Sequence, residues 1–329
     1  MAQLVKIQDY ISRYEIDFAR YPTQFVRLKK VQWERIKYQW ETGGELNQQW
    51  EHVDTTDDIV EAEKPKLSFL KKLFPLKKQA QPIEELVSTD EVEDEGIMDE
   101  DTTLLFEPNI VYNPQTLEEL KRMFMDQFFH FQMKWASSTL REKSYVDPKY
   151  MRDTLLRTLL LDLPDNYLLF YYPILRVKKA PIELEVIVMT PVECICITVV
   201  EEENQAVYIG GSERFWVKKV GKQEKKTLNP FIRLNRMETL VKQLFEQANV
   251  EMPVRKVLLS RNGYFDYPGS AYGVQFIDKR NYPEWLQQMR RTVSPMKHMQ
   301  IRAAQSILAI SQTTSFHRDI WSEQKKDDE

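Results

Sequence analysis

From Tyr167 the hydrophobic period of this chain changes, and that change limits the folds open to it. YLLFYYPILRV, IELEVIVM and CICITVV, at 167–177, 182–189 and 194–200, are aliphatic, β-branched and aromatic runs divided by turn signals. Such runs suit strands buried in a sheet. The segment before them, 149–163, has helical spacing and ends at Pro164-Asp165-Asn166. After them, 206–209 and 214–220 suit a further hairpin. Residues 234–248 return to helical spacing, and VRKVLL at 254–259 reads as a short buried strand. Helix, three strands, helix and strand, in that order, predict the α/β class: a mixed sheet flanked by helices.

The chain around this block divides by composition. In 1–44, Leu4, Ile7, Ile11, Tyr14 and Phe18 follow helical steps. Pro22 interrupts them, and Phe25, Leu28, Val31, Trp33, Ile36 and Trp40 resume them up to Gly43-Gly44. That pattern predicts an N-terminal helical hairpin. Residues 45–115 are charged, with no Lys or Arg from Gln79 to Leu120 and the acidic run EVEDEGIMDED within. A block of like charge buries little, so a largely disordered linker is expected there. The basic, apolar island KPKLSFLKKLFPLKK lies inside it.

Asn113-Pro114, then Thr116 with Glu119 in a capping-box pattern, open a bridging helix in 116–148. Phe124, Phe128, Phe131 and Trp135 form its apolar stripe, and the helical pattern runs to 143. An α/β domain over 149–290 and a C-terminal helix with a polar tail over 291–329 complete the expected map. Helical spacing there covers 283–289 and about 294–311.

Several function classes are disfavoured by composition. A formal net charge of −4 excludes a wholesale polycation, so nucleic-acid contact would need a local patch. The 9 glycines form neither GxGxxG nor GxxxxGK[ST], so no Gly-rich phosphate loop is present. Cys194 and Cys196 stand two apart on one predicted strand and share a face, which suits buried thiols of a reducing compartment. His52, His130, His298 and His317 form no zinc-binding pattern, and no GxSxG elbow occurs. The charged opening lacks the apolar region of a signal peptide, and no apolar run approaches ~18 residues. A cytoplasmic protein without a transmembrane segment is expected.

An ordered set of motifs narrows the reading. LLLDLPDNYLLFYYPIL is followed by PIELEVIVMTPVECICITVV, then Ile209-Gly210 with Trp216, then Asn229-Pro230 opening a helix that runs NRMETLVKQLFEQ, then VRKVLLS. From about Arg152 to Ser260 this resembles the nuclease-related domain (NERD) family, which belongs to the restriction-endonuclease-like, PD-(D/E)xK group of folds; the opening MAQLVKIQDYISRYE resembles the start of bacterial proteins that pair helices with such a domain. The resemblance implies that fold and, in working members, metal-dependent phosphodiester hydrolysis. Two carboxylates and a backbone carbonyl hold Mg²⁺, and a lysine orients the attacking water. Carried over residue by residue, the first acid falls on Glu185. The acid and lysine of the Glu-x-Lys motif fall on Thr198 and Val200, and an acid of the opening helix falls near Asp153. A glutamine common after Asn-Pro falls near Arg233. Thr198 and Val200 cannot supply the missing carboxylate and ammonium.

The resemblance therefore implies a catalytically degenerate scaffold that binds nucleic acid or protein. No cofactor is expected. Mg²⁺ is expected only if the chain cuts, with Glu185 as a ligand and Asp153 or the Glu201, Glu202 and Glu203 cluster completing a displaced site. A purely structural protein-interaction module is a further alternative. For nucleic acid, the candidate contacts are Arg27, Lys29, Lys30 and Arg35 beside Trp33, Tyr38 and Trp40, and Lys218, Lys219 and Lys222 before Asn229.

Overall fold

The computed structural model describes residues 1–43, 106, 108, 114–177, 180–269, 273–291 and 294–317. The linker expected over 45–115, apart from Phe106, Pro108, Pro114 and Gln115, lies outside them, as do Gly44, His52 and the tail beyond His317.

In chain order the elements are β1 (Gln3–Ile7), a 3₁₀ turn (Arg13–Glu15), α1 (Tyr21–Glu41), α2 (Leu117–Trp135), β2 (Glu142–Lys143), α3 (Pro148–Met151) and α4 (Thr154–Asp162). Next come β3 (Leu168–Tyr171), β4 (Ile174–Val177), β5 (Ala180–Glu183), β6 (Val186–Met189), β7 (Cys194–Val199), β8 (Val207–Ile209), β9 (Phe215–Val220) and β10 (Gln223–Leu228). The remainder are α5 (Phe231–Gln247), β11 (Val254–Leu259), β12 (Tyr264–Asp266), β13 (Val274–Ile277), α6 (Tyr282–Arg291), α7 (His298–Leu308) and β14 (Phe316–His317).

The main sheet has the order β1-β3-β6-β7-β11-β13. Its β3–β6 and β6–β7 pairs are antiparallel, while β1–β3, β7–β11 and β11–β13 are parallel. The sheet is therefore mixed, and the class is α/β as the element order implies. Every residue of β3 and β6 is buried, which explains their unbroken apolar runs. Helix α5 packs on β7 and β11, and α2 packs on β1 and α4. A second sheet, β10-β9-β8-β12, follows the centre of the first in sequence.

The N-terminal helical hairpin is corrected: its first half is the edge strand β1 and a single 3₁₀ turn. Leu4 and Ile7 fit either period, so the decision fell to tertiary bonds. Parallel pairing with β3 supplies them, with Gln3 N donating to the Tyr167 carbonyl at 2.8 Å. The polar residues that disguise the strand are satisfied inside. Gln3 donates to the Asp165 carbonyl at 2.8 Å, and Lys6, fully buried, meets Glu15 and the Thr313 hydroxyl. Helix α1 is the hairpin's surviving half. It packs on α2 through Phe25–Phe128 and Trp33–Phe124, with ring centroids 5.1 and 5.4 Å apart.

Two helices are shorter than their patterns. The bridging helix begins as expected, with Thr116 Oγ1 accepting from Glu119 N at 3.2 Å. It stops at Trp135 rather than 143, because the Ser137 and Ser138 hydroxyls bond back to the Met133 and Lys134 carbonyls. The pattern over 149–163 divides into α3 and α4 at Asp153, whose carboxylate accepts from Leu155 N and Leu156 N and so caps the second helix. Likewise IELEVIVM divides between β5 and β6, with Glu185 at the break.

Candidate functional site

The β6–β7 register pairs Val186 with Ile197. One residue further, Glu185 stands opposite Thr198, the relation that the two acids of a metal site on adjacent strands would need. Thr198 is fully buried and Val200 nearly so. Neither can hold a hard cation: a hydroxyl is a weak ligand and valine donates nothing.

Glu185 has partners of its own, although its Oε1 accepts no hydrogen bond. Its Oε2 accepts from the Val199 N–H at 3.0 Å, and its Oε1 lies 3.1 Å from Arg233 Nη1. The carboxylate is 12% exposed and the guanidinium 52%. Burial pushes the Glu185 carboxyl above its ordinary range, with Arg233, the Val199 N–H and Thr198 opposing the shift. Arg233 reaches this place because Asn229 sets the start of α5. The Asn229 side chain donates to the Glu213 carbonyl at 2.8 Å and accepts from Phe231 N at 2.9 Å. The first turn of the helix then carries the arginine.

The other acids near Glu185 are also engaged. Asp153 is turned toward its own helix, and its Oδ2 accepts from the Tyr171 hydroxyl at 2.6 Å. Burial and the neighbouring Asp153 raise the Tyr171 phenol well above its usual value, so it stays a donor. Glu201 holds Arg261 through two parallel bonds, Nε–Oε1 at 2.8 Å and Nη2–Oε2 at 2.7 Å, and also accepts from Arg261 N. Charges on Asp153 and Glu185 both act on the half-buried Tyr172 phenol, and charges on Asp153 and Glu201 both act on Arg261. Asp153, Glu185 and Glu201 thus belong to one neighbourhood, held by two arginines and a tyrosine. Among the described residues no group of three or more His, Cys, Asp or Glu could hold a metal ion. The donor set does not fit Mg²⁺, because each carboxylate that could ligate it already faces a cation or donors of its own.

The basic candidates divide between two elements. On α1, Lys29 pairs with Asp165 at 2.7 Å and Lys30 lies 3.9 Å from Glu34; Arg27 and Lys30 line a cleft together with Pro22, Val26 and Leu163, and Arg35 sits further along. On β9, Lys218 is buried and held by Glu202 at 2.5 Å and Glu203 at 3.0 Å, which raise its pKa. Lys219 pairs with Glu224 at 3.3 Å, and Lys222 is exposed at the β9–β10 turn. Lys218 is thus a structural cation that keeps the Glu202 and Glu203 carboxylates occupied. Sequence reasoning missed Arg261 and Tyr171. The Arg261 pair joins positions 60 residues apart, and no local pattern announces such a pair.

No protein-family model matches the chain, and no solved structure matches it. Over 41 residues it is 56% identical to an RNA 2',3'-cyclic phosphodiesterase of Geobacillus stearothermophilus. That stretch is 12% of this chain and 13% of the relative, so the chain spans about an eighth of that protein. A match of that extent transfers neither fold nor activity.

Among the described residues no helix is long and apolar enough to cross a membrane.

Proposed function

We propose that the chain is a non-catalytic scaffold of restriction-endonuclease-like architecture, in which arginine ion pairs have replaced a metal-and-phosphate centre. The observation that carries this reading is Arg233 against Glu185, with the neutral Thr198 opposite, where a metal enzyme would keep a second carboxylate. The order α4, β3, β6, β7, α5, β11, with β6 antiparallel and β11 parallel to β7, supports the architecture. Gly210 supports the motif set too. A Cβ there would lie 2.7 Å from the Trp216 ring, so these two residues, named together by the resemblance, are also structurally linked.

A working nuclease would need two carboxylates sharing one cation. Glu185 and Glu201 each face an arginine instead, and Asp153 is occupied by its own helix and Tyr171. Calorimetric titration with Mg²⁺ and Mn²⁺, beside cleavage assays on single- and double-stranded DNA and RNA, tests the reading. Neither metal binding nor cleavage is expected. Metal-dependent cleavage abolished by Glu185→Ala would overturn it.

A further inference from the structure

The second sheet has one face on which exposed and half-buried side chains lie outside the core. Along β9 the side chains alternate: Trp216 and Lys218 point inward and are buried, whereas Phe215 and Lys219 are exposed and Val217 is half-buried. Register extends the alternation across all four strands. Phe215 pairs with Leu228 and Val217 with Lys226 on β10; Lys219 faces Val207 and Val217 faces Ile209 on β8; Tyr264 faces Val207 on β12. Tyr208 and Phe265, one residue out of step, lie in the core. Phe215, Val217, Ile209, Val207 and Tyr264 do not join that core, and Phe215 is 49% exposed and Leu228 44%.

Charge on this face argues for one kind of occupant. Arg214 lies over the exposed Phe215 ring at 5.7 Å and Arg280 over the half-buried Tyr264 ring at 5.8 Å, so each aromatic already carries a cation. Lys219 and Lys226 stand among the apolar side chains, and Lys222 is at the hairpin tip. Glu224 and Asp266 share the face. Glu224 meets Lys219 in a pair about half exposed, which solvent weakens, and Arg280 is also bonded to Asp278. Lysine is depleted at the centres of protein–protein interfaces, whereas aromatics with lysine and arginine between them suit a chain of phosphates bearing unpaired bases. A duplex hides its base faces, so the aromatics select a single strand. Phe215, on the inner strand β9, and Tyr264, on the edge strand β12, are roughly 16 Å apart by strand spacing and rise, a span that a few extended nucleotides bridge.

We propose that this face binds single-stranded nucleic acid, with bases stacked on Phe215 and Tyr264 and phosphates held by Arg214, Lys219, Lys226 and Arg280. The proposal rests on the non-catalytic reading only in naming what the scaffold holds. The test is fluorescence anisotropy of the full chain with labelled oligo(dT) and oligo(rU), against a labelled duplex. The single strands should bind more tightly than the duplex. Phe215→Ser and Tyr264→Ser should each weaken binding by roughly 5- to 100-fold, and Lys226→Gln should lower the salt dependence by about 0.7 in log–log slope. Unchanged thermal unfolding shows that each variant is folded.

Three results would overturn the proposal: no oligonucleotide binding at low salt, binding indifferent to Phe215→Ser and Tyr264→Ser, or capture of a protein on this face without any oligonucleotide. Cleavage of the bound strand with added Mg²⁺ would instead sink the non-catalytic reading and leave the surface in place.

Discussion

Replacing Arg233 with methionine keeps a long, partly apolar side chain on α5 and removes the cation beside Glu185. The carboxylate keeps its bond from the Val199 N–H but loses its counter-ion at 12% exposure. An exposed pair is worth ~0.2–1 kcal/mol, and breaking a fully buried pair costs ~3–5 kcal/mol. Arg233 is half exposed, so its loss should cost about 1–2 kcal/mol. For a fold of this size that is a fall in Tm of roughly 2–8 °C. The cost must depend on pH. Burial already raises the Glu185 carboxyl above its unfolded value, and removing Arg233, which opposes that shift, raises it further. A carboxyl raised in the folded state gives stability that is full below its unfolded pKa and is lost as pH rises through its folded pKa. Arg233→Met should therefore match the parent most closely near pH 4 and fall behind as pH climbs to 8. Glu185→Gln in the same background should recover most of the loss at pH 8. Thermal unfolding by circular dichroism across that range measures both. A deficit constant with pH, or none at all, would mean that Arg233 and Glu185 are not energetically coupled.

Further substitutions probe the surrounding frame. Gly210→Ala should destabilise by about 1–3 kcal/mol, because the added Cβ would meet Trp216 and Tyr267 at 2.7 and 2.8 Å; denaturant unfolding would show it as a lower midpoint at constant slope. Asp153→Ala removes the α4 cap and the Tyr171 acceptor and should cost about 1–2 kcal/mol; a value near zero would show the cap to be incidental. Arg261→Ala strands Glu201 at 14% exposure and should cost more than Glu201→Gln/Arg261→Ala together; additive losses in a double-mutant cycle would deny the coupling.

What the sequence disclosed follows from range. Strands β3, β6 and β7 were legible because burial on both faces writes a nearly unbroken apolar run, and β11 because its second half, Val257–Leu259, is apolar and buried. The start of α2 was legible because a cap is local. Strand β1 was not. Its apolar residues fit a helix equally well, and its partner strand lies more than 150 residues away. Lys218 read as a surface lysine because the carboxylates that bury it, Glu202 and Glu203, stand on the far side of β8 in sequence. The outer face of the second sheet was hidden for a related reason: β10, QEKKTL, has too few apolar residues to register as a strand, and only pairing with β9 reveals the alternation.

The arginine pairs explain why a lost metal site would leave a stable fold behind. Carboxylates gathered near the sheet need positive charge, since unpaired buried ions are costly. A divalent cation supplies it in an active centre; Arg233 from α5 and Arg261 after β11 supply it here. If the chain is a retired metal enzyme, as proposed, that exchange would be hard to reverse one residue at a time. Thr198→Glu alone adds a second carboxylate beside a guanidinium that already faces Glu185, so it should gain no Mn²⁺ affinity and should lose stability. Thr198→Glu with Arg233→Gln removes the competing cation and leaves two facing carboxylates, and this pair of changes should create measurable Mn²⁺ binding by calorimetry. Mn²⁺ binding by Thr198→Glu alone would show that Arg233 does not stand in for a metal, and with it the account of this centre would fail.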